Sequence, residues 1–200
     1  MARQASKRPP SADRILDAAL RLTAAGGWRR VTMEGIAAES GATLLQVREA
    51  FPDRAALLAG FIRRIDATVL AGHDPSDAGE PVRERLLDVL LRRFDALRPH
   101  KDAVRSIVRE AGCDAGLLCA FPAFFRAMAW SLEAAGISSA GPLGLLRTKG
   151  LSAIYLSAMR VWLHDDSEDL GPTTAHVDRA LRRAEALMMR LPRFPRSRPD

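Results

Sequence analysis

Apolar residues recur every three or four positions along most of this chain, with polar residues between them. Near the start, Ile15, Ala18 and Leu22 have this spacing and a glycine pair follows at 26–27, which predicts an amphipathic helix that ends at the glycines. No segment alternates apolar and polar residues over the length of a strand. The sequence therefore predicts an all-α fold of about nine helices.

Two short helices are predicted after the first one. Thr32 can cap a helix whose end is marked by Gly41, because glycine readily adopts the positive φ of a tight turn. Thr43 and Gln46 have the spacing of a capping box, in which the side chain of each accepts a hydrogen bond from the backbone N–H of the other. This predicts a third helix over Thr43–Phe51. Together the three helices have the spacing of a DNA-binding helix-turn-helix.

The rest of the chain predicts a larger helical bundle. Helices are predicted at residues 53–72, 82–98, 101–111, 142–163 and 173–191. The helix at 82–98 is amphipathic, the one at 142–163 is expected to be nearly enclosed, and the one at 173–191 has an apolar stripe suited to a partner helix. A linker rich in Gly, Pro and Asp lies at 72–81. Residues 115–136 are apolar round most of the helical circumference, so we expect a buried helix there, and Pro122 should kink or divide it.

Composition narrows the class of protein. Of the 200 residues, 48% are hydrophobic and 27% are charged, which is typical of a globular protein with a sizeable core. The formal net charge of +6 is compatible with a nucleic-acid partner. Arg3, Lys7 and Arg8 could follow a phosphate backbone or simply keep a tail in solution. No signal peptide or membrane-spanning run is recognisable, so we expect a cytoplasmic protein.

Candidate catalytic and metal-binding groups are few. Cys113 and Cys119 have no CxxC spacing and no nearby histidines, so neither a zinc site nor a disulfide is expected. His164, Asp165 and Asp166 form the only tight group of histidine and carboxylates, but neighbouring helical residues point about 100° apart and do not converge. No phosphate loop, nucleophile elbow or HExxH motif occurs. We therefore expect no catalytic residue, no metal, no cofactor and no enzyme activity.

The first third of the chain resembles the TetR family of bacterial repressors. The residues that match its motif are Ile15, Leu16, Ala18, Ala19, Gly27, Thr32, Ile36, Ala37, Gly41, Phe51, Arg54, Leu57 and Leu58. The resemblance implies a basic flexible arm at residues 1–12 and a helix-turn-helix DNA-binding domain at 13–58. It also implies a ligand-binding and dimerisation domain at 59–191, followed by a Pro- and Arg-rich tail at 192–200.

The resemblance implies a double-stranded DNA operator as the partner of the helix-turn-helix. The residues expected to contact its phosphates are Thr32, Thr43, Arg48 and Arg54. Gln46 is expected to read a base, and Leu44 could meet a thymine methyl group. Leu44 and Leu45 depart from the family pattern, in which a small or basic residue is followed by glycine. Leucine cannot hydrogen-bond to phosphates or base edges.

The aromatic residues and methionines after residue 120 have two interpretations, an ordinary core or the lining of a cavity. TetR proteins enclose a small-molecule cavity here, so the resemblance implies an apolar small-molecule or lipid effector. The lining residues would be Phe121, Phe124, Phe125, Met128, Trp130, Ile154, Tyr155, Met159 and Trp162. The resemblance also implies a homodimer, and the apolar stripe expected to be exposed for it contains Val177, Leu181, Ala184 and Met188.

A second resemblance covers roughly the last two fifths of the chain, which is similar to the TetR-like lipid-binding accessory proteins of ubiquinone biosynthesis. The matching residues are Trp130, Ala135, Gly136, Ala153, Ile154, Tyr155, Asp166, Ser167, Asp169 and Leu170. Met188 and Phe194 among arginines could touch an anionic membrane surface peripherally. The sequence therefore predicts a TetR-type repressor controlled by an apolar effector. The alternative is a lipid- or isoprenoid-binding accessory protein that does not bind DNA.

Overall fold

The computed structural model describes residues 11–74, 79–110 and 119–190, and within these ranges it contains helices and no strand. The all-α prediction is confirmed. The α-helices are α1 Ala12–Gly26, α2 Met33–Ser40, α3 Leu44–Ala50, α4 Arg54–Ala71, α5 Val82–Leu97, α6 Lys101–Glu110, α7 Phe121–Ala134, α8 Gly141–Trp162 and α9 Gly171–Arg190. Among these helices, none is long and apolar enough for a membrane span. Most of the predicted arm, Cys113 and the predicted tail lie outside the described residues.

The first four helices begin where a side chain accepts a backbone hydrogen bond. Ser11, Thr32, Thr43 and Asp53 each precede a helix and accept from the N–H three residues later, at 2.7–3.3 Å. Each cap satisfies a donor that has no partner inside its helix and is worth about 0.5–2 kcal/mol. The capping box of Thr43 is present, and Gly41 has the predicted positive φ, at 68°.

The aromatic helix α7 differs from its prediction. Pro122 is the second residue of the helix, where its missing N–H removes no intrahelical hydrogen bond, so it begins the helix instead of kinking it. Phe121, Phe125 and Trp130 are 41%, 37% and 53% exposed. The prediction of a helix that is buried all round is therefore wrong, because only one face of α7 is covered.

The described residues form two compact units. The first contains the residues up to Gly72 together with Arg93–Ala127, and the second contains His73–Arg92 and the residues from Met128 onward. Helices α5 and α7 each contribute one end to each unit. The predicted boundary between a DNA-binding domain and a ligand-binding domain, after residue 58, does not coincide with these limits and stays a prediction.

Helix α1 is the centre of the first unit. Its buried residues include Ile15, Ala18 and Ala19, and it contacts α2, α3, α4 and α6. In the same unit, Asp66 of α4 pairs with Arg93 of α5, whose side chain is only 4% exposed. Because a buried guanidinium without its carboxylate would be strongly destabilising, this pair ties α4 to that end of α5.

A glycine in α4 makes room for the residue that ends α3. Phe51 follows α3 directly and is buried. A Cβ built on Gly60 would lie 2.5 Å from an atom of the Phe51 ring, which is closer than van der Waals contact allows. The ring therefore packs directly on the backbone of α4, and this contact fixes the C-terminal end of α3.

Helices α8 and α9 pack against each other in the second unit. Tyr155 and Trp162 of α8 are buried, as are Val177 and Leu181 of α9. Burying side chains of this size from water contributes about 1.5–3 kcal/mol each. The two helices therefore form the apolar core of this unit.

Asp165 holds the turn between α8 and α9. Its carboxylate accepts hydrogen bonds from the backbone N–H and the hydroxyl of both Ser167 and Thr173. Burial would raise the pKa of Asp165, but these four hydrogen bonds favour the charged form more strongly and lower the pKa to about 2. The carboxylate thereby fixes a turn that includes Leu170 in the left-handed region, at a φ of 51°.

Replacing Asp165 with Asn is expected to destabilise the second unit in a pH-dependent way. The pKa of about 2 lies below the ordinary 3.8, so the contribution of the carboxylate is complete above about pH 4 and is lost as the pH falls toward 2. That contribution is about 2 kcal/mol. Denaturant unfolding followed by circular dichroism should show this difference near neutral pH and little of it near pH 2. An equal difference at both pH values would contradict the assignment.

Replacing Gly60 with Ala is expected to lower the free energy of unfolding by about 1–3 kcal/mol, because the new methyl group displaces Phe51. Alanine normally stabilises a helix interior by about 1 kcal/mol relative to glycine. The test is therefore whether the free energy of unfolding falls or rises in this variant. Gly26→Ala is the matched control, since nothing lies within 4 Å of a Cβ built there. If both variants are as stable as the wild type, Phe51 is not packed against Gly60.

Candidate nucleic-acid interface

Helices α2 and α3 form a helix-turn-helix in the first unit. Gly41 reverses the chain after α2, and the N–H of Ala42 donates to the carbonyl of Ala37 at 3.0 Å. Val47 is fully buried and anchors α3, which contacts α1 and α2. The opposite face of α3 points away from these helices and is exposed.

The exposed face of α3 carries two leucines and two charged side chains. Leu44 and Leu45 are 55% and 60% exposed, and Arg48 and Glu49 are exposed beside them. Single exposed leucines are common on protein surfaces, but here two adjacent leucines make up half of the outer face of a short helix. The predicted contact residues Leu44 and Arg48 are therefore accessible to a duplex.

Gln46 is used within the helix-turn-helix itself. Its side-chain oxygen accepts a hydrogen bond from the N–H of Thr43 at 2.8 Å, and its backbone N–H donates to the Thr43 hydroxyl at 3.2 Å. A glutamine that reads adenine uses both the oxygen and the nitrogen of its amide. Gln46 cannot do so while its oxygen completes the capping box. The expected base reader is therefore a capping residue in this structure.

Arg54 also has a partner within the first unit. Its Nη2 donates to the carbonyl of Trp28 at 2.6 Å, and the guanidinium carbon lies 4.8 Å from the centre of the Trp28 ring, within the range of a cation–π interaction. A phosphate contact by Arg54 would compete with these interactions. For Arg48 and the exposed caps Thr32 and Thr43, the phosphate contact stays a prediction.

Ser106 and Glu110 of α6 bind the backbone of the turn Trp28–Arg30, which lies between α1 and α2. The Ser106 hydroxyl accepts from the N–H of Trp28 at 2.9 Å, and a Glu110 oxygen accepts from the N–H of Arg29 at 2.8 Å. The hydrogen bond from Arg29 is the main reason that the pKa of Glu110 lies below its ordinary value. Sequence analysis missed both Ser106 and Glu110. The glycine at position 27 is a signal of the contact with Glu110, because Gly27 has a φ of 90° and a Cβ there would lie 2.9 Å from Glu110 Oε1.

The residues predicted to line a ligand cavity include exposed and buried side chains. Those that are buried belong to the second unit and are Met128, Tyr155, Met159 and Trp162. In the first unit, the rings of Phe121, Phe124 and Phe125 contact one another, with centroids 5.8–6.4 Å apart, although two of the three are exposed. Trp130 is exposed, and Ile154 is half-buried. A common cavity for these residues stays a prediction.

The apolar stripe that was expected to be exposed for dimer contact is largely covered. Val177 is fully buried and Leu181 is 5% exposed, because these side chains form the core between α8 and α9. Ala184 and Met188 are half-buried. The dimer contact therefore stays a prediction, and the large apolar side chain that is exposed on the described part of α9 is Leu187, at 64%.

The group of one histidine and two aspartates does not converge on one point. It lies at an open cavity of about 510 Å³ in the second unit. His164 is exposed, with Nδ1 2.8 Å from the carbonyl of Arg160. Asp165 is buried and faces Ser167 and Thr173. Over the described part of the chain, no three side chains form a group that could hold a metal ion.

Comparison with known proteins identifies the helix-turn-helix. Residues 15–60 match the model of bacterial regulatory proteins of the tetR family. The structure is similar to that of a TetR transcriptional regulator from Nitrosomonas europaea ATCC 19718, with a TM-score of 0.70, 25% identity, and coverage of 88% of this chain and 98% of the other. No curated protein matches the sequence.

More distant structures share the fold. A TetR transcriptional regulator from Rhodococcus sp. RHA1 is 19% identical, with a TM-score of 0.63 and coverage of 90% of this chain and 96% of the other. The regulator FadR from Bacillus subtilis, whose structure contains stearoyl-CoA, is 12% identical, with a TM-score of 0.57 and coverage of 86% and 96%. The predicted fold is confirmed, and the match over residues 15–60 supports the predicted family.

Replacing Arg48 or Arg54 with Ala is expected to have different effects. Arg54→Ala should lower the free energy of unfolding by about 1–3 kcal/mol, because the carbonyl of buried Trp28 loses its charged donor, although it keeps the N–H of Val31 at 3.3 Å. Arg48→Ala should change stability by no more than about 0.5 kcal/mol and lower affinity for duplex DNA. Denaturant unfolding and fluorescence anisotropy with a labelled duplex measure the two effects. A stable Arg54→Ala protein with reduced DNA affinity would restore Arg54 as a phosphate contact.

Proposed function

We propose that this chain is a dimeric repressor of the TetR family that binds operator DNA and releases it when an apolar effector binds. The match of residues 15–60 to the family model and the similarity of the fold support this proposal. The observation that supports this proposal most directly is the helix-turn-helix. Its second helix is anchored by Val47 and presents its opposite face to solvent. A helix of this kind fits the major groove.

Charge around the helix-turn-helix supports DNA binding. Arg29 and Arg30 are exposed on the turn before α2, and Arg48 is exposed on α3. Arginines at such positions bind phosphates and release counterions from the duplex. We therefore expect a large part of the affinity to be independent of sequence and to fall steeply as salt is added.

An uncovered strip on α8 and α9 supports a dimer. It contains exposed Gly150, Ala153 and Leu187 and half-buried Ala180, Ser157 and His176, and exposed Arg183 lies on the same face of α9. The Ser157 hydroxyl and the His176 ring are 2.9 Å apart, so the two helices share this surface. Small side chains allow the backbones of a second copy to approach closely. We propose an isologous contact of this strip with itself.

The effector part of the proposal rests on the apolar character of the second unit. The methionine, tyrosine and tryptophan side chains that are buried there offer few hydrogen-bonding groups, so any pocket opened among them would select an apolar ligand. The stearoyl-CoA in the FadR structure supports only the point that this fold can hold a long acyl chain.

A second candidate is an accessory protein that binds lipid and does not bind DNA. Leu44 and Leu45 favour it, because exposed leucines on α3 make no hydrogen bonds to DNA and Gln46 is engaged in the capping box. The two candidates differ in whether filling the second unit changes DNA affinity. A repressor requires this coupling, whereas a lipid carrier does not.

The first test measures binding of the chain to its own upstream DNA and its mass in solution. We expect a dimer that binds with steep salt dependence. Leu187→Glu should give a monomer with much weaker operator binding, because two half-sites can no longer be engaged together. Ala186→Glu is the matched control, since it adds the same charge about 100° away round the helix. A monomeric wild type, or equal behaviour of the two variants, would reject the proposed contact.

The same assay separates the two candidates. An apolar ligand extracted with the protein should weaken operator binding by about 5- to 150-fold, which is the usual range of allosteric coupling. If the extracted ligand is an isoprenoid or phospholipid, and no upstream duplex is bound with or without it, the repressor proposal fails. The lipid-carrier candidate would then be supported.

A further inference from the structure

The outer face of α3 defines which side chains can reach a base edge. With about 100° between successive helical residues, Leu44, Leu45, Arg48 and Glu49 fall on one side of α3. Buried Val47 and half-buried Ala50 fall on the opposite side. The exposures of these side chains in the structure agree with this division. Gln46 lies at the edge between the two faces, with its oxygen on the N–H of Thr43.

We infer that the protein selects its operator in part through thymine methyl groups, which are read by Leu45 together with Leu44. This inference rests on the proposed DNA-binding function and specifies how α3 reads sequence. Leu45 becomes a residue that determines specificity, although sequence analysis assigned it no contact. Gln46 is assigned to positioning α3.

In the major groove, the apolar partner available to a leucine is the methyl group of thymine. The groove edges of guanine, cytosine and adenine present hydrogen-bond donors and acceptors, whereas thymine also presents a C5 methyl group. A leucine opposite a donor or acceptor would displace water from it without replacing the hydrogen bond. A leucine opposite a methyl group removes apolar surface from water on both partners.

The surroundings of the leucines favour DNA over a membrane as the occupant of this face. Two leucines bordered by Arg48 and Glu49 form a small apolar area, whereas a helix that lies on a membrane has a long apolar face. Exposed Arg29 and Arg30 lie in the same unit and complement a phosphate backbone.

The test replaces thymine with deoxyuridine, which removes only the methyl group. A duplex selected by the wild-type protein from a random library is resynthesised with one such replacement at a time. At one or two positions in each half-site we expect an affinity loss of about fourfold, which corresponds to ~0.8 kcal/mol for a buried group of this size. Leu45→Ala should bind the same duplex more weakly and should be insensitive to at least one of these replacements.

The control variants separate methyl reading from loss of structure. Leu45→Met keeps a long apolar side chain with similar helix propensity, so its sensitivity to deoxyuridine should remain. Because Leu45 is 60% exposed, all of these variants should be as stable as the wild type. Circular dichroism and unfolding measurements check this.

Two outcomes would overturn the inference and are distinguishable from each other. If the wild type binds a selected duplex but every deoxyuridine replacement leaves the affinity unchanged, methyl reading is wrong while the proposed DNA-binding function stands. If no duplex is selected, and vesicles with anionic headgroups bind the wild type better than Leu45→Ala, both the inference and the proposed function fail. The leucines are then a lipid contact.

Discussion

The backbone of Trp28 is the point on which the first unit depends. Its N–H donates to Ser106 of α6, and its carbonyl accepts from Arg54 of α4 as well as from the N–H of Val31, so side chains from two other helices bind both groups. The turn that contains Trp28 ends just before α2 begins. The direction of α2, and with it the placement of α3, therefore follows from interactions made by α4 and α6, both of which lie later in the sequence.

Sequence analysis predicted the features that are determined within a few residues. Apolar periodicity, the capping box at Thr43 and the turn at Gly41 depend on neighbours three or four positions away, and the structure contains all of them. Sequence analysis could not predict which polar side chains bind residues that are distant in the sequence. Arg54 was predicted to contact phosphate because its place in the family motif can be recognised in the sequence, whereas its contact with Trp28 cannot. The stripe through Val177 was read as a partner contact because the pattern shows an apolar face without showing what covers it.

At the candidate site, some polar side chains stabilise the helix-turn-helix and others remain exposed on α3. Gln46 and Arg54 are two of the polar residues that the sequence assigns to DNA, and both hold the helix-turn-helix together. The side chains left on the outer face of α3 are two leucines, an arginine and a glutamate. Half of the side chains on this face can therefore make hydrogen bonds, and the two leucines cannot.

The capping box of α3 also bears on the thermodynamics of association. A seven-residue helix is too short to be stable alone in water. It is ordered here because Thr43 and Gln46 satisfy its first donors and Val47 is buried beneath it. Because this order exists before any contact with a duplex, docking requires no folding of the backbone of α3, and little conformational entropy is lost there. The heat capacity change on binding should then reflect the surface buried between protein and duplex, without a contribution from helix formation.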